Sequence, residues 1–246
     1  MSAPPTFGVR LERARSLSPS VRELVFARVD ERPMTFDAGQ WVSLVLPLAD
    51  APDGRLRRAY SIASAPDGSP RFEIAVTKVD GGPGSTFLHA MPEGAVIDAV
   101  GPQGFFTRDL AKTGPSLFVA TGTGITPLRS MLRAAVARGD ARSMIVLYGN
   151  RTAADVLYRD ELDALARERA HFSAEYTLSR PGPEWPGRRG WVQEHVRELW
   201  AELRARDEGL PHAYVCGLQR MVGAVRDLLR KELGATREQV HSERYD

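Results

Sequence analysis

The hydrophobic pattern of the chain changes near Gly114-Pro115, and this change limits the folds that the chain can adopt. Before this point, apolar and polar residues alternate in short runs, as in Phe72, Ile74 and Val76, which is the period of a half-buried strand. After it, continuous apolar runs such as 117–120 alternate with stretches of helical periodicity. The pattern predicts two domains of different class, with a boundary near residue 110.

The first of these domains, residues 1–109, reads as a series of short strands. Val42, Leu44 and Leu46 repeat the alternation of a half-buried strand. Turn-forming residues recur between the strands, at 52–54, 66–68, 81–84 and 92–94. Many short strands at this spacing predict a small closed antiparallel β-barrel or a sandwich.

The second domain, residues 110–246, reads as buried strands alternating with amphipathic helices. Strands are predicted around 117–120, 144–148, 172–178 and 213–216, and helices around 128–136, 153–168, 192–203 and 221–229. Continuous apolar strands with helices between them predict a parallel sheet that is covered on both faces.

Composition excludes several classes of function. The 33 Lys and Arg residues nearly balance the 31 Asp and Glu residues, so the net charge of +2 predicts neither nucleic-acid binding nor membrane insertion. The single cysteine, Cys216, excludes an internal disulfide, a four-cysteine zinc site and an iron–sulfur cluster. The five histidines show no metal-ligand spacing, so no metal site is predicted. With no leader segment and no apolar run of about 18 residues, the expectation is a soluble cytoplasmic protein. A monomer is expected.

A glycine-rich turn follows the first strand of the second domain. It comprises Thr121, Gly122, Thr123, Gly124, Ile125, Thr126 and Pro127, and the proline suits the first turn of a helix. Glycines allow backbone N–H groups to approach an anion, and the N-terminus of a helix favours phosphate. The turn predicts a nucleotide phosphate site at the carboxyl edge of the sheet, although a plain strand–helix turn has the same sequence.

Two segments of the first domain add charged and aromatic groups. On a strand, Arg58 and Tyr60 project to one face and Ser61 to the other, which suits a ligand with a phosphate and a flat ring. The loop 82–86 precedes a possible short helix at 87–91 and predicts a second anion site. Both segments are also compatible with an ordinary edge strand and a helix cap.

Five motifs, in order along the chain, resemble those of the ferredoxin–NADP reductase family. They are Arg58-x-Tyr60-Ser61, Gly82-x-x-Ser85, Gly122-Thr123-Gly124-Ile125-Thr126-Pro127, Cys216-Gly217 and Glu243-x-Tyr245. The resemblance covers nearly the whole chain. It implies an antiparallel β-barrel that binds FAD at 1–109, a parallel α/β domain that binds NADP(H) at 110–246, and an active site between the two.

The first two motifs resemble the FAD site of the family. The resemblance implies that Arg58 holds the FAD pyrophosphate, assisted by the segment that contains Gly82, Gly84, Ser85 and Thr86. It implies that Tyr60 packs against the isoalloxazine ring. Ser61 would hydrogen-bond near flavin N5, where hydride arrives.

The remaining motifs resemble the nicotinamide site. The pyrophosphate of NADP(H) would lie in the turn that contains Thr121, Gly122, Thr123, Gly124 and Pro127. Cys216, with Gly217 after it, would lie near the nicotinamide C4. Glu243 would serve charge balance or proton supply, and Tyr245 would cover the flavin and move when nicotinamide enters. Asp246 follows Tyr245 here, whereas plant-type members end on the tyrosine and some bacterial members carry one further residue.

A basic segment after the third strand favours NADPH over NADH. Ser179, Arg180 and Arg189 supply the hydroxyl and cations that a 2′-phosphate needs, and Trp191 can stack on adenine. The segment resembles that of NADP-specific members of the family, which have a Ser-Arg pair followed by a basic residue and an aromatic residue. Glu184 lies in the same loop and opposes this prediction, and a solvated basic loop is the alternative.

The resemblance implies a flavoprotein reductase that takes hydride from NADPH onto FAD and exchanges single electrons with an acidic redox protein, ferredoxin or flavodoxin. An oxygenase-reductase component and a reductase of free flavins or ferric complexes are alternatives within the enzyme class. A non-catalytic flavin-binding subunit of a larger complex is the alternative outside it.

Overall fold

The computed structural model describes residues 5–111, 114–206 and 209–245. These residues group into two compact units, which are described separately. The first unit contains residues 1–107 and 129–136, and the second contains residues 108–128 and 137–246. Among the described residues, no helix is both long enough and apolar enough to span a membrane.

The first unit is built on a six-stranded antiparallel sheet. Its strands are β1 (Thr6–Ser18), β2 (Val21–Arg28), β3 (Trp41–Pro47), β4 (Arg55–Ser61), β5 (Arg71–Thr77) and β6 (Val96–Gln103), in the spatial order β4-β3-β6-β1-β2-β5. Where β4 ends, the backbone N–H of Ala63 donates to Glu73 of β5 at 2.7 Å, so the two edges of the sheet meet. The predicted barrel is confirmed, and its core includes the rings of Phe26 and Phe72, stacked 5.6 Å apart.

The helix that follows β5 begins earlier than the sequence predicts. The structure has α1 at Pro83–Ala90, so residues 83–86 of the predicted loop form the first half of this helix. Proline is favoured in the first turn, because its missing N–H has no partner there in any case. The guanidinium of Arg22 donates to the carbonyls of Leu88, His89 and Met91 and so satisfies the end of the helix.

The second unit is a parallel sheet with helices. Its strands are β7 (Ser116–Thr121), β8 (Met144–Asn150), β9 (Phe172–Leu178), β10 (Arg188–Arg189), β11 (His212–Leu218) and β12 (Val240–Tyr245), in the order β10-β9-β8-β7-β11-β12. The helices are α2 (Ile125–Ala137), α3 (Arg159–Glu168), α4 (Gln193–Arg204) and α5 (Gln219–Asp227), and residues 129–136 of α2 belong to the first unit. The strand order changes direction between β7 and β11. In open sheets of this kind, ligands bind at the carboxyl ends of the strands at such a point.

Two elements of the second unit differ from the sequence prediction. The helix predicted at 153–168 is a 3-10 turn at Ala153–Asp155 followed by α3, because Tyr158 adopts a left-handed conformation at φ 55°. The sequence is compatible with either a strand or a frayed tail at the end of the chain. The structure has strand β12 there, paired with β11. Asp246 lies outside the described residues.

A pair of histidines makes the stability of the second unit depend on pH. The Nδ1 atom of His212 lies 3.2 Å from the Nε2 atom of His241, and the ring of His241 stacks on Tyr214 at 4.7 Å. Burial lowers the pKa of both histidines; the nearby Arg108 contributes at His212, and His212 itself contributes at His241. In the unfolded chain, both have a pKa of about 6.5. Lowered folded-state values mean that protons bind the unfolded chain more readily.

We therefore expect full stability above pH about 6.5 and a loss of stability as the pH falls through the lower folded-state pKa values. Urea midpoints measured between pH 7.5 and pH 5 test this. The variant His241→Phe keeps an aromatic ring over Tyr214 and removes one of the two titrating groups, so its midpoint should vary less with pH. An equal pH dependence in this variant and in the parent would contradict the assignment.

Candidate functional site

The end of β4 presents a cation, an aromatic ring and a hydroxyl within four residues. Arg58 is exposed, Tyr60 is half-buried against the barrel core, and Ser61 is buried. Burial raises the pKa of Tyr60 to about 12, so its phenol remains uncharged at neutral pH. This combination can hold a phosphate beside a flat ring.

The start of α1 lies against the stem of Arg58. A Cβ atom on Gly84 would come within 3.2 Å of the Arg58 Cγ atom, so the glycine allows the helix start and the arginine to pack closely. Backbone N–H groups at the start of a helix favour an anion. The guanidinium and the helix start together fit a pyrophosphate, and Tyr60 fits a flat ring, so these residues fit FAD.

The hydroxyl of Ser85, which the sequence predicts at an anion site, is hydrogen-bonded within the protein. It accepts the backbone N–H of Val79 at 3.1 Å and lies 3.1 Å from the carbonyl oxygen of Gly82. Ser85 therefore holds the loop that leads into α1, and its hydroxyl is engaged there rather than exposed to a ligand. Backbone N–H groups are the donors that this segment offers an anion. Thr86, the other predicted hydroxyl residue, follows Ser85 in the helix.

In the second unit, the glycine-rich turn contacts the end of β11. Residues Gly122–Gly124 form one 3-10 turn between β7 and α2, and Pro127 lies in the first turn of α2. A Cβ atom on Gly124 would come within 2.3 Å of the carbonyl oxygen of Cys216, so only glycine fits at this position. The turn and the strand end thus lie together where the strand order changes direction, as the position of a dinucleotide site requires.

Two side chains fix the shape of this turn. The phenol of Tyr148 on β8 donates to the carbonyl of Gly122 at 2.8 Å, and burial raises the pKa of this phenol, so it stays a donor. The hydroxyl of Thr126 lies 2.8 Å from the carbonyl oxygen of Thr123. The carbonyls of Gly122 and Thr123 are thereby hydrogen-bonded within the protein, and N–H groups are the donors that such a turn offers an anion.

The structure brings Cys216, Glu243 and Tyr245 together from separate motifs. Cys216 on β11 is paired in register with Glu243 on β12, and Leu218 is paired with Tyr245. Cys216 is fully buried, and burial raises the pKa of its thiol, with a further contribution from the charge of Glu243. The residue is therefore a small uncharged thiol at neutral pH rather than a nucleophilic thiolate.

The residues predicted to bind a 2′-phosphate lie in the loop after β9. The backbone N–H groups of Ser179 and Arg180 donate to the carbonyls of Asn150 and Arg151, so the loops after β8 and β9 run side by side. Arg151 and Arg180 are both exposed there. The loops therefore present two neighbouring cations and the hydroxyl of Ser179.

Arg189 and Trp191 are the other two residues predicted to bind the nucleotide. The guanidinium of Arg189 lies 3.1–3.4 Å from the carbonyls of the loop at Gly182, Pro183 and Trp185, so it shapes this loop. Trp191 has 61% of its side chain exposed and remains available to an adenine ring.

The sequence prediction did not name Arg151, and it placed Thr126 in the glycine-rich turn without its contact to Tyr245. Arg151 directly follows β8, and a cation at that position was a usable signal, because neighbouring parallel strands end at one edge of the sheet. Thr126 contacts Tyr245, which is 119 residues away, with 3.2 Å between the hydroxyl oxygens. No local pattern in the sequence indicates that contact.

Comparisons with known proteins agree with the two-domain fold. Residues 8–107 match the family model for an oxidoreductase FAD-binding domain, and residues 118–227 match the model for an oxidoreductase NAD-binding domain. Ferredoxin–NADP reductase B of Sorangium cellulosum is 58% identical over 241 residues, covering 98% of both chains. The reductase component of phenol 2-monooxygenase of a Pseudomonas species is 34% identical, and the match covers 85% of this chain but 57% of that protein.

A solved structure has the same fold over nearly its full length. The ferredoxin–NADP⁺ reductase of Neisseria gonorrhoeae, with bound FAD and NADP, matches with a TM-score of 0.82 at 20% identity, over 97% of this chain and 98% of that chain. With both family models matched and a relative of 58% identity over almost the whole chain, the protein belongs to the ferredoxin–NADP reductase family of oxidoreductases, with FAD-binding and NAD(P)-binding domains.

Proposed function

We propose that this reductase takes hydride from NADPH and passes electrons one at a time to an acidic carrier protein, ferredoxin or flavodoxin. The Sorangium relative is named for ferredoxin and NADP, which supports both partners. The neighbouring cations Arg151 and Arg180, with Ser179, support NADPH over NADH because a 2′-phosphate needs such donors. A monomeric state and a cytoplasmic location are part of the proposal.

The residues of the first unit have binding roles in this proposal. Bound FAD supplies the chemistry, since a flavin accepts a hydride as a pair and gives up electrons singly. Arg58 holds its pyrophosphate with the N–H groups at the start of α1, Tyr60 packs on its ring, and Ser61 hydrogen-bonds the ring edge.

The residues of the second unit bind and orient the nicotinamide nucleotide. The N–H groups of the Gly122–Gly124 turn hold its pyrophosphate. Cys216, uncharged and buried, shapes the surface on which the nicotinamide rests, and Glu243 balances charge or supplies a proton. Holding the reacting atoms in contact removes the entropy cost of a bimolecular encounter. For ideal alignment, this lowers the activation free energy by roughly 7–11 kcal/mol.

The observation that carries this proposal is the contact of Gly124 with the carbonyl of Cys216. This contact joins the proposed phosphate-binding turn to the end of β11, where Cys216 is paired in register with Glu243. A subunit that only stores flavin would have no use for this arrangement. The test is oxidation of NADPH by the purified protein, first with an artificial electron acceptor and then with purified ferredoxin. A protein that carries FAD and oxidises NADPH with neither acceptor would refute the proposal.

Loss of the Arg58 side chain should weaken FAD binding. Hydrogen bonds to charged groups contribute roughly 1.5–3 kcal/mol, so Arg58→Ala is expected to raise the Kd for FAD about 10- to 100-fold. Equilibrium titration of the cofactor-free protein with FAD measures this. The control is Arg57→Ala, which removes a cation from the other face of the same strand and should leave the Kd within about twofold. Equal effects of the two variants would contradict a specific role for Arg58.

The preference for NADPH should depend on Arg180. We expect Arg180→Ala to raise the KM for NADPH about tenfold or more, by loss of a charge-assisted contact, and to leave the KM for NADH nearly unchanged. Steady-state kinetics with both nucleotides measures the ratio of the KM for NADPH to the KM for NADH. Arg151→Ala should raise this ratio as well. If both KM values rise together, the two arginines do not contact the 2′-phosphate.

A further inference from the structure

The chain turns at Gly190, between the edge strand β10 and the start of α4. Gly190 has a φ of 93°, and β10 is the last strand at its end of the described sheet. Because glycine has the widest choice of backbone angles, the residue type alone does not fix the direction in which the chain leaves this turn. That direction decides where the next residue, Trp191, presents its exposed ring.

Side chains hold the carbonyl groups on both sides of this turn. The hydroxyl of Thr177 on β9 lies 2.9 Å from the carbonyl oxygen of Gly190. The Nε2 atom of His195 on α4 lies 2.9 Å from the carbonyl oxygen of Arg189. These carbonyls belong to the two planar peptide groups that flank the Cα atom of Gly190. With both peptide planes held, the backbone angles of Gly190 are held as well.

The donor in each hydrogen bond follows from the chemistry of the groups. A carbonyl oxygen can only accept, so Thr177 donates its single hydroxyl hydrogen to Gly190. For the same reason, the Nε2 atom of His195 carries the proton and donates it to Arg189. The Nδ1 atom of His195 lies 3.5 Å from the Nη1 atom of Arg188, which can only donate, so Nδ1 is the acceptor. The imidazole is thus oriented by contacts at both of its nitrogen atoms.

The preceding part of the edge strand is held in the same way. The indole Nε1 atom of Trp185 donates to the carbonyl of Arg188 at 2.9 Å. Three consecutive carbonyls, at 188–190, therefore each accept a hydrogen bond from a side chain. An edge strand usually leaves such backbone groups open to solvent or to another chain. This segment is held more firmly than the pairing of a two-residue strand would achieve.

We propose that His195 is a positioning residue for nucleotide binding, and that by holding the turn at Gly190 it directs the ring of Trp191 toward the adenine of the nicotinamide nucleotide. This inference rests on the proposed function, in which the second unit binds that nucleotide. His195 does not touch the nucleotide in this account, and Thr177 acts with it on the turn. Adenine is common to NADPH and NADH, so the effect of His195 should be equal for both, unlike that of Arg180.

The experiment is equilibrium titration of the FAD-loaded protein with NADP⁺ and with NAD⁺, which measures each Kd without turnover. One hydrogen bond of ordinary strength corresponds to about a two- to tenfold change in Kd. His195→Leu removes the donor, so it should raise the Kd by about this factor, equally for the two nucleotides. His195→Gln supplies an amide N–H donor instead and is the matched control, with expected Kd values near those of the parent.

Trp191→Ala tests the ring directly and should raise both Kd values about fivefold or more, by loss of stacking between base and ring. In the double variant His195→Leu/Trp191→Ala, no ring remains to be directed, so the Kd should equal that of Trp191→Ala alone. Urea unfolding checks that each variant is folded. If His195→Leu is not, Thr177→Val breaks the second bond to the turn and carries the test, with Thr177→Ser as its control.

Four results would overturn the proposal. They are equal Kd values for the leucine and glutamine variants, a rise in Kd for NADP⁺ alone, an unchanged Kd in Trp191→Ala, and fully multiplicative effects in the double variant. Failure of the proposed function is a distinct outcome, because the parent protein itself would then show no saturable binding of NADP⁺. Normal binding by the parent with no response to the loss of the imidazole rejects the role of His195 alone.

Discussion

Replacing Gly124 by alanine is expected to lower the stability of the second unit by about 3 kcal/mol and to abolish tight binding of nicotinamide nucleotide. The new Cβ atom would lie 2.3 Å from the carbonyl oxygen of Cys216, well inside van der Waals contact. The neighbour is backbone rather than the end of a flexible side chain. The turn or the end of β11 must therefore move.

Such a movement would affect binding as well as folding. The turn carries the N–H groups that are proposed to hold the pyrophosphate, and a displacement of about 1 Å in a binding site can cost about 100-fold in rate. Urea unfolding measures the loss of stability, and titration with NADP⁺ measures the loss of binding. FAD content should be unchanged, because the FAD-binding residues belong to the first unit.

A second glycine of the same unit is the matched control. Gly223 lies in α5, where an added Cβ atom would meet nothing within 4 Å. Alanine is favoured over glycine inside helices by roughly 0.5–1 kcal/mol, so Gly223→Ala should be neutral or stabilising. If Gly124→Ala behaves like Gly223→Ala, the contact with Cys216 is not as close as the structure shows.

The sequence predicts the local features of this protein well because each of them is encoded in adjacent residues. The strand Phe172–Leu178 is found at its predicted bounds, since apolar and polar residues alternate along the whole of it. The glycine-rich turn is found between β7 and α2 because its glycines and the following proline define it locally. The change from β to α/β structure follows directly from the change in hydrophobic period.

The features that the sequence did not predict depend on tertiary contacts or on a single backbone angle. Tyr158 interrupts the predicted helix at 153–168 through a left-handed conformation that nothing in its side chain requires. Arg151 and Arg180 become neighbours only through the order of β8 and β9 in the sheet. The bond from Tyr245 to Thr126 joins residues 119 positions apart. For the two tertiary contacts the missing information is spatial, and at Tyr158 it is a backbone angle that the helical periodicity does not indicate.

In the first unit, Arg129 should contribute more to stability than any surface charge. It lies in the part of α2 that belongs to this unit, and its side chain is 5% exposed. Its Nη1 atom donates to the carbonyl of Ala63 at 3.0 Å and to the carboxylate of Glu73. Next to it, the hydroxyl of Ser130 donates to the carbonyl of Ser64 at 2.6 Å. These bonds hold the backbone directly after Ser61.

We expect Arg129→Met to lower the free energy of unfolding by about 3–5 kcal/mol, because it leaves a mostly buried carboxylate without its main partner. Methionine keeps an unbranched stem and a high helix propensity, so the helix itself should remain. The exposed neighbour Arg133, 3.5 Å from the same carboxylate with 44% of its side chain exposed, is the matched control. Arg133→Met should cost less than about 1 kcal/mol.

The double variant Glu73→Gln/Arg129→Met separates the ion pair from the packing. Removing both charges avoids the uncompensated carboxylate, so the double variant should be more stable than Arg129→Met alone. Because the carbonyls of Ala63 and Ser64 follow Ser61, Arg129→Met should also release FAD more readily, which flavin fluorescence on dilution measures. If Arg129→Met and Arg133→Met cost the same stability and retain FAD equally, the buried ion pair does not hold the end of β4 in place.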